Sequence, residues 1–181
     1  MKRKSVGREH SMCVQPSFII GTYDENGRAN FAPITWVSST WDTDKYLIVL
    51  SMNGEKKTKR NADKSGMLSV NLVSTDMLKM MDSLGASSGA DASKDAVAHE
   101  KGNTLDVPTL NASKWVYECA VTQVVQTGDT HTYFCEVKDV TVDASIDISD
   151  ETYDLTALDP VVYSGNYYSI GKYLGKIGDF A

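Results

Sequence analysis

Apolar positions along the chain fall in short runs rich in β-branched and aromatic side chains, and they alternate more often than they follow a helical period. Ser17-Phe18-Ile19-Ile20-Gly21-Thr22-Tyr23 predicts a strand. Asp24-Glu25-Asn26-Gly27 follows, and Asn-Gly between two β-type runs is the strongest short hairpin signal, since both central residues must reach positive φ. The return strand runs from Arg28 to about Val37, and Pro33 inside it predicts an edge position or a bulge, because proline donates no ladder hydrogen bond. Tyr46 to Met52 is nearly continuous apolar sequence of strand length, the pattern of a strand buried on both faces, and Met67 to Val73 is another strand. A second hairpin pairs Trp115 to Gln126 with His131 to Val142 around Thr127-Gly128-Asp129-Thr130.

Helical signals lie between the strands. Ser74-Thr75-Asp76 offers an N-cap before Met77, Leu78, Met81 and Leu84, which recur at helical spacing, with Gly85 as the stop. A further helix is expected from Asp91 to Lys101, ended by Gly102, and a polar, basic turn or short helix from Glu55 to Ser65. No internal repeat, low-complexity tract or long linker divides the chain, so one domain over residues 1–181 is expected. About six or more short strands with two or three helices point to a mainly β fold, a β-barrel with helical insertions.

Composition narrows the function classes. The 18 Lys plus Arg against 24 Asp plus Glu leave a formal net charge of −6, which argues against nucleic-acid binding while leaving room for a local anion site. The basic start Met1-Lys2-Arg3-Lys4 is not followed by the apolar stretch of a signal sequence, and the longest wholly apolar run, Leu47-Ile48-Val49-Leu50, is far short of a membrane span. Cys13, Cys119 and Cys135 form no CxxC and no metal-ligand spacing, which fits a reducing compartment and a cytoplasmic location. Asn111-Ala112-Ser113 is a glycosylation sequon that, without a secretory signal, is read as chance.

The sequence has no Walker loop, GxGxxG, HExxH or GxSxG, and His10, His99 and His131 have no carboxylate-spaced partners that would make a metal site. One charge anomaly remains: Lys56-Lys57-Thr58-Lys59-Arg60, with Lys64 beyond, just after the strand that ends at Ser51 and Met52. A strand end followed by hydroxyl and cationic side chains can hold a phosphate, and a solvated basic turn is the alternative reading. Asn30-Phe31-Ala32-Pro33-Ile34-Thr35-Trp36 follows the first hairpin turn, where bulged edge backbone leaves groups free to bond a planar heterocycle and Trp36 offers a ring face. The alternatives are that Trp36 is core and that His131 is a surface histidine at a strand end.

Together, an Asn-x-Ala-Pro-x-Ser/Thr-Trp strand, a Thr shortly after the next strand, a helical Lys, and Gly-Asp-x-His before a Glu-Val strand resemble the flavin reductase-like, FMN-binding split-barrel proteins, and within them the flavoredoxin branch. The resemblance runs from about Gln15 to Gly171. It implies a split β-barrel with short helical insertions that binds FMN. Asn30 and the backbone from Ala32 through Pro33 and Thr35 to Trp36 would line the isoalloxazine, while Ser51, Met52, Lys57 and Thr58 would take the ribityl chain and phosphate. Lys94 would reach the flavin or its phosphate, His131 would sit near the pyrimidine edge, and Tyr163 would be the late aromatic near the ring. A donating His131 there would favour the reduced flavin anion. The sequence departs from the family pattern at Cys135-Glu136-Val137, where Gly-Glu-Val is usual, so Cys135 is either a small core residue or a group that crowds the site or reacts.

The resemblance further implies a homodimer with FMN near the subunit interface. Two functions share the same site: an NAD(P)H-dependent flavin oxidoreductase, with no residue needed as nucleophile, and an FMN-containing electron carrier reduced by a protein partner. A cofactor-free barrel is the third reading.

Overall fold

The structure, a computed structural model, describes residues 1–8, 12–87, 94, 96–148, 153–176 and 178–179. Its centre is a seven-stranded antiparallel sheet built from β2 (Phe18–Tyr23), β3 (Ala29–Ile34), β4 (Val37–Asp42), β5 (Lys45–Met52), β6 (Met67–Leu72), β9 (Trp115–Thr127) and β10 (Thr130–Val142), in the order β3-β2-β6-β9-β10-β5-β4. Residues from all seven strands, among them Ile20, Ile34, Val37, Leu50, Leu68, Cys119 and Tyr133, meet in one buried cluster, so the sheet curls around its own apolar face. The two end strands, β3 and β4, are consecutive in sequence. Only Thr35 and Trp36 separate them, and the Ser51 N–H donates to the Trp36 carbonyl at 2.9 Å, which fastens this link to β5. The barrel is therefore split where β3 gives way to β4. This is the split β-barrel with helical insertions that the sequence leads one to expect.

β2 is buried on both faces. Phe18 and Ile20 point into the barrel, while Ile19 faces a second cluster with Phe31, Val73, Met81, Leu84 and Val161. Two helices serve the barrel. α1 (Lys57–Ser65) stops at Gly66, whose φ of 68° lets its N–H close back on the Ala62 carbonyl at 2.9 Å. α2 (Leu78–Ala86), entered through a 3₁₀ turn over Thr75–Met77, presents Met81 and Leu84 to the second cluster.

Several local expectations are corrected. The return strand does not run unbroken to Val37: it ends at Ile34, and Val37 begins β4. Pro33 sits on an edge strand, as its missing N–H requires. Gly85 lies inside α2 rather than ending it. Of the helix expected from Asp91 to Lys101, residues 91–93 and 95 fall outside the described residues, and its last part is the strand β7 (His99–Lys101), paired with β8 (Pro108–Leu110). The sequence pattern also did not reveal a small sheet of β1 (Gln15–Pro16), β11 (Val161–Tyr163) and β12 (Tyr167–Ser169), with the one-turn helix α3 (Leu155–Leu158) before it. Strands of two or three residues are too short to show alternation.

Candidate functional site

A cleft of about 350 Å³ opens between β3, the start of α1 and the end of α2. Asn30, Ala32 and Pro33 form one wall, Lys56, Lys57, Thr58 and Arg60 another, and Leu84, Gly85, Ser87 and Lys94 close it.

The first hairpin turn sets up the cationic wall. Asp24 accepts from the N–H groups of Asn26 at 2.9 Å and Arg28 at 3.0 Å, and its second oxygen lies 3.0 Å from the Lys57 ammonium. Burial alone would raise the Asp24 carboxyl, but the Arg28 N–H, the Lys57 ammonium and the Asn26 N–H outweigh it and hold the group well below the usual carboxylate range. A carboxyl depressed on folding stabilises the fold above its unfolded value near 3.9 and loses that contribution as pH falls toward the folded value. The thermal midpoint is therefore expected to drop as pH falls from about 5 to about 2. Asp24→Asn, less stable at neutral pH, should show a shallower drop when the same scan is followed by circular dichroism.

The other cations are also committed. The Lys59 ammonium donates to the carbonyl of Asp129 at 2.8 Å, Arg60 pairs with Glu55, and Lys64 lies 2.6 Å from Glu25. Lys56 makes no ion pair or side-chain hydrogen bond among the described residues, and it stands at the N-cap of α1 with no side chain capping the helix. The uncapped first turn adds unpaired N–H groups to that end.

Opposite stands Asn30, 1% exposed. Its amide nitrogen donates to Thr58 Oγ1 at 2.7 Å, and its carbonyl oxygen is buried without a partner. Whichever way the amide is turned, Thr58 can satisfy one of its two ends and the other is left for a ligand. A buried amide edge facing unpaired positive charge fits a ligand that has both a hydrogen-bonding face and an anionic tail.

Of the twelve residues expected at a site, the cleft gathers Asn30, Ala32, Pro33, Lys57, Thr58 and Lys94. The other six stand outside its walls. Thr35 belongs to the β3–β4 link, and Trp36 beside it is half exposed. The Ser51 hydroxyl bonds that of Thr132 at 2.8 Å, and Met52 is wholly buried in the barrel core. His131 lies against α1, with Nδ1 3.3 Å from the Asp63 carboxylate, which also accepts from the Tyr133 hydroxyl at 2.7 Å. Tyr163 packs its ring on Tyr167 at 5.8 Å. His10 lies outside the described residues. Asp24, Glu55, Lys56, Arg60, Leu84, Gly85 and Ser87 serve the cleft without having been expected among its contacts; Lys56 and Arg60 carried a signal, as part of the basic run.

Cys135 is wholly buried in the barrel interior, and burial pushes its thiol up to about 12, while Cys119 is raised by burial and by the nearby Cys135. Neither forms an appreciable thiolate near neutral pH. A thiol reagent should titrate Cys13, which is exposed, quickly in the native protein, and reach Cys119 and Cys135 only after unfolding.

Residues 10–171 match the family model described as the flavin reductase like domain. The chain belongs to the flavin reductase-like family. Solved structures with this fold include the flavoredoxin from Methanosarcina acetivorans, 20% identical with a TM-score of 0.88 over 99% of this chain and 97% of that one. A split-barrel-domain protein from Shewanella frigidimarina NCIMB 400 is 21% identical, with a TM-score of 0.80 over 91% of this chain and 85% of that one. The FMN-binding protein from Thermus thermophilus is 20% identical, with a TM-score of 0.78 over 97% of both chains. No curated protein sequence matches this chain. No helix among the described residues is long and apolar enough to cross a membrane. Within the flavin reductase-like fold, the cleft lies where α1 begins, beyond the end of β5.

Proposed function

We propose that this chain binds FMN in the cleft and acts as an NAD(P)H-dependent flavin oxidoreductase, working as a homodimer in the cytoplasm. The observation that carries the reading is the buried Asn30 amide, held by Thr58 at one end and unpartnered at the other, in one cleft with Lys56, which has no ion pair among the described residues. Asn30 would bond the polar part of the flavin, Thr58 would fix Asn30, and the start of α1 with Lys56 would hold the phosphate. Lys94, which lines the same cleft, would add a second cationic group. Ala32, Pro33 and Leu84 supply the apolar surface on which a ring can rest. When bound, FMN supplies the two-electron redox chemistry, and the protein supplies binding, orientation and exclusion of water. Of the remaining expected contacts, Thr35, Trp36, Ser51, His131 and Tyr163 would act from the rim or across a dimer interface, while Met52, sealed in the barrel core, would only support them.

The net charge of −6 favours a second reading, an FMN-containing electron carrier steered to a basic redox protein. A visible spectrum before and after anaerobic NADH or NADPH separates the two. Yellow flavin absorbance that bleaches within seconds is the expected result. Bands that persist until a reduced protein donor is added mean the carrier, and a protein that stays colourless after incubation with FMN overturns both.

A further inference from the structure

A second hollow, of about 220 Å³, lies at the far end of β9 from the cleft, between Trp115 at the start of that strand and the α3–β11 segment. Its walls include Phe18, Leu72, Trp115, Tyr117, Tyr153 and Leu158, and the Trp115 and Tyr153 rings sit 4.7 Å apart. Protein interiors are close-packed, and an apolar space of about 150 Å³ stays dry and takes up benzene. This hollow is somewhat larger and opens to solvent past Tyr153 and Leu155, and aromatic rings make up much of its lining.

One feature separates it from a packing defect. Trp115 Nε1 is buried and has no hydrogen-bond acceptor. Burial raises the Tyr117 hydroxyl above the usual phenol range, and the nearby indole N–H offsets this only in part, without reaching hydrogen-bond geometry. Tryptophan N–H groups in protein interiors normally find a partner. Beyond Trp115 Nε1, the side-chain polar groups among the lining residues are the Tyr117 and Tyr153 hydroxyls, so most of the space offers a water nothing to bond. A ligand that fills the space with a ring and turns an oxygen toward Trp115 satisfies both the void and the donor.

We propose that this hollow is a binding site for a single-ring aromatic molecule bearing one hydrogen-bond acceptor, with its ring against Trp115 and Tyr153 and its acceptor on Trp115 Nε1. The site is independent of the flavin cleft, so it stands whether or not the chain binds FMN.

The probes are p-cresol and p-xylene, which differ by a hydroxyl in place of a methyl. Equilibrium dialysis with and without excess FMN, together with the thermal midpoint, reads their binding. Saturable uptake of one p-cresol per chain at or below about 1 mM is expected, unchanged by FMN and accompanied by a rise in Tm. Trp115→Phe removes the donor while keeping an aromatic ring in the wall; it should weaken p-cresol about tenfold more than it weakens p-xylene. Val162→Phe, on the half-buried rim, should abolish both while the protein stays folded. Uptake that does not saturate, that FMN displaces, or that Trp115→Phe reduces equally for both probes would overturn the assignment.

Discussion

Lys56→Glu is expected to lower FMN affinity about a hundredfold and riboflavin affinity by no more than about threefold, since a factor of ten corresponds to roughly 1.4 kcal/mol and only FMN carries the phosphate. The other cations beside the cleft are already paired. Lys57 is compensated by Asp24 at 3.0 Å, Lys59 is bonded to backbone carbonyls, and Arg60 is paired with Glu55. Lys56 has no such partner among the described residues, so its charge is available to an incoming dianion. Lys56→Ala should cost about tenfold, and high salt should shrink the difference between FMN and riboflavin in the wild type. Replacing Asp24 and Lys57 together by alanine removes a neutral pair and should change FMN affinity by less than Lys56→Ala does. Flavin fluorescence titration measures each case. If Lys56→Glu weakens FMN and riboflavin equally, Lys56 is not the phosphate's charge partner.

Glu118→Ala is expected to destabilise the protein by about 3 kcal/mol, because a charge-assisted hydrogen bond contributes roughly 1.5–3 kcal/mol and several are lost at once. Glu118 is fully buried on β9, and its two carboxylate oxygens accept from the N–H groups of Asn103 at 2.7 Å, Thr104 at 3.0 Å and Leu105 at 2.7 Å. This side chain pins the loop between β7 and β8 to the barrel. The pinned hairpin in turn packs His99 against Phe31, at 5.6 Å between ring centroids, on the strand that carries Asn30. Thermal melts should show Tm lowered by about 6–12 °C, at roughly 2–4 °C per kcal/mol for a chain of this size. Gly102 leaves no room for a side chain: a Cβ would come 2.7 Å from Glu118 Cδ and 2.8 Å from the Leu105 carbonyl. Gly102→Ala should therefore mimic the loss, and the double variant should cost less than the sum of the two, because Glu118→Ala already removes the clash with Glu118 and leaves only that with the Leu105 carbonyl. A full additive loss in the double variant would mean the two positions act separately.

What the amino-acid sequence determined by itself was local. Short apolar and β-branched runs marked β2, β5 and β6, alternation marked the long β9–β10 hairpin, and Asn26-Gly27 and Gly128-Asp129 marked the two turns, because side-chain period and turn chemistry are properties of neighbouring residues. The basic run was visible for the same reason, and so was the Asn30–Trp36 segment whose first half lines the cleft. Tertiary structure decided which of those charges is free. Asp24 neutralises Lys57, and Asn30 meets Thr58 28 residues away, only because the sheet brings β3 beside α1. Nothing in the sequence around Glu118, between Tyr117 and Cys119 in the otherwise apolar first half of β9, says that three loop amides converge on it. Such contacts depend on strand order and on chain closure over long separations, which local pattern does not encode. The same holds for His131, whose strand position was legible but whose partner, Asp63 on α1, exists only once β10 lies against that helix.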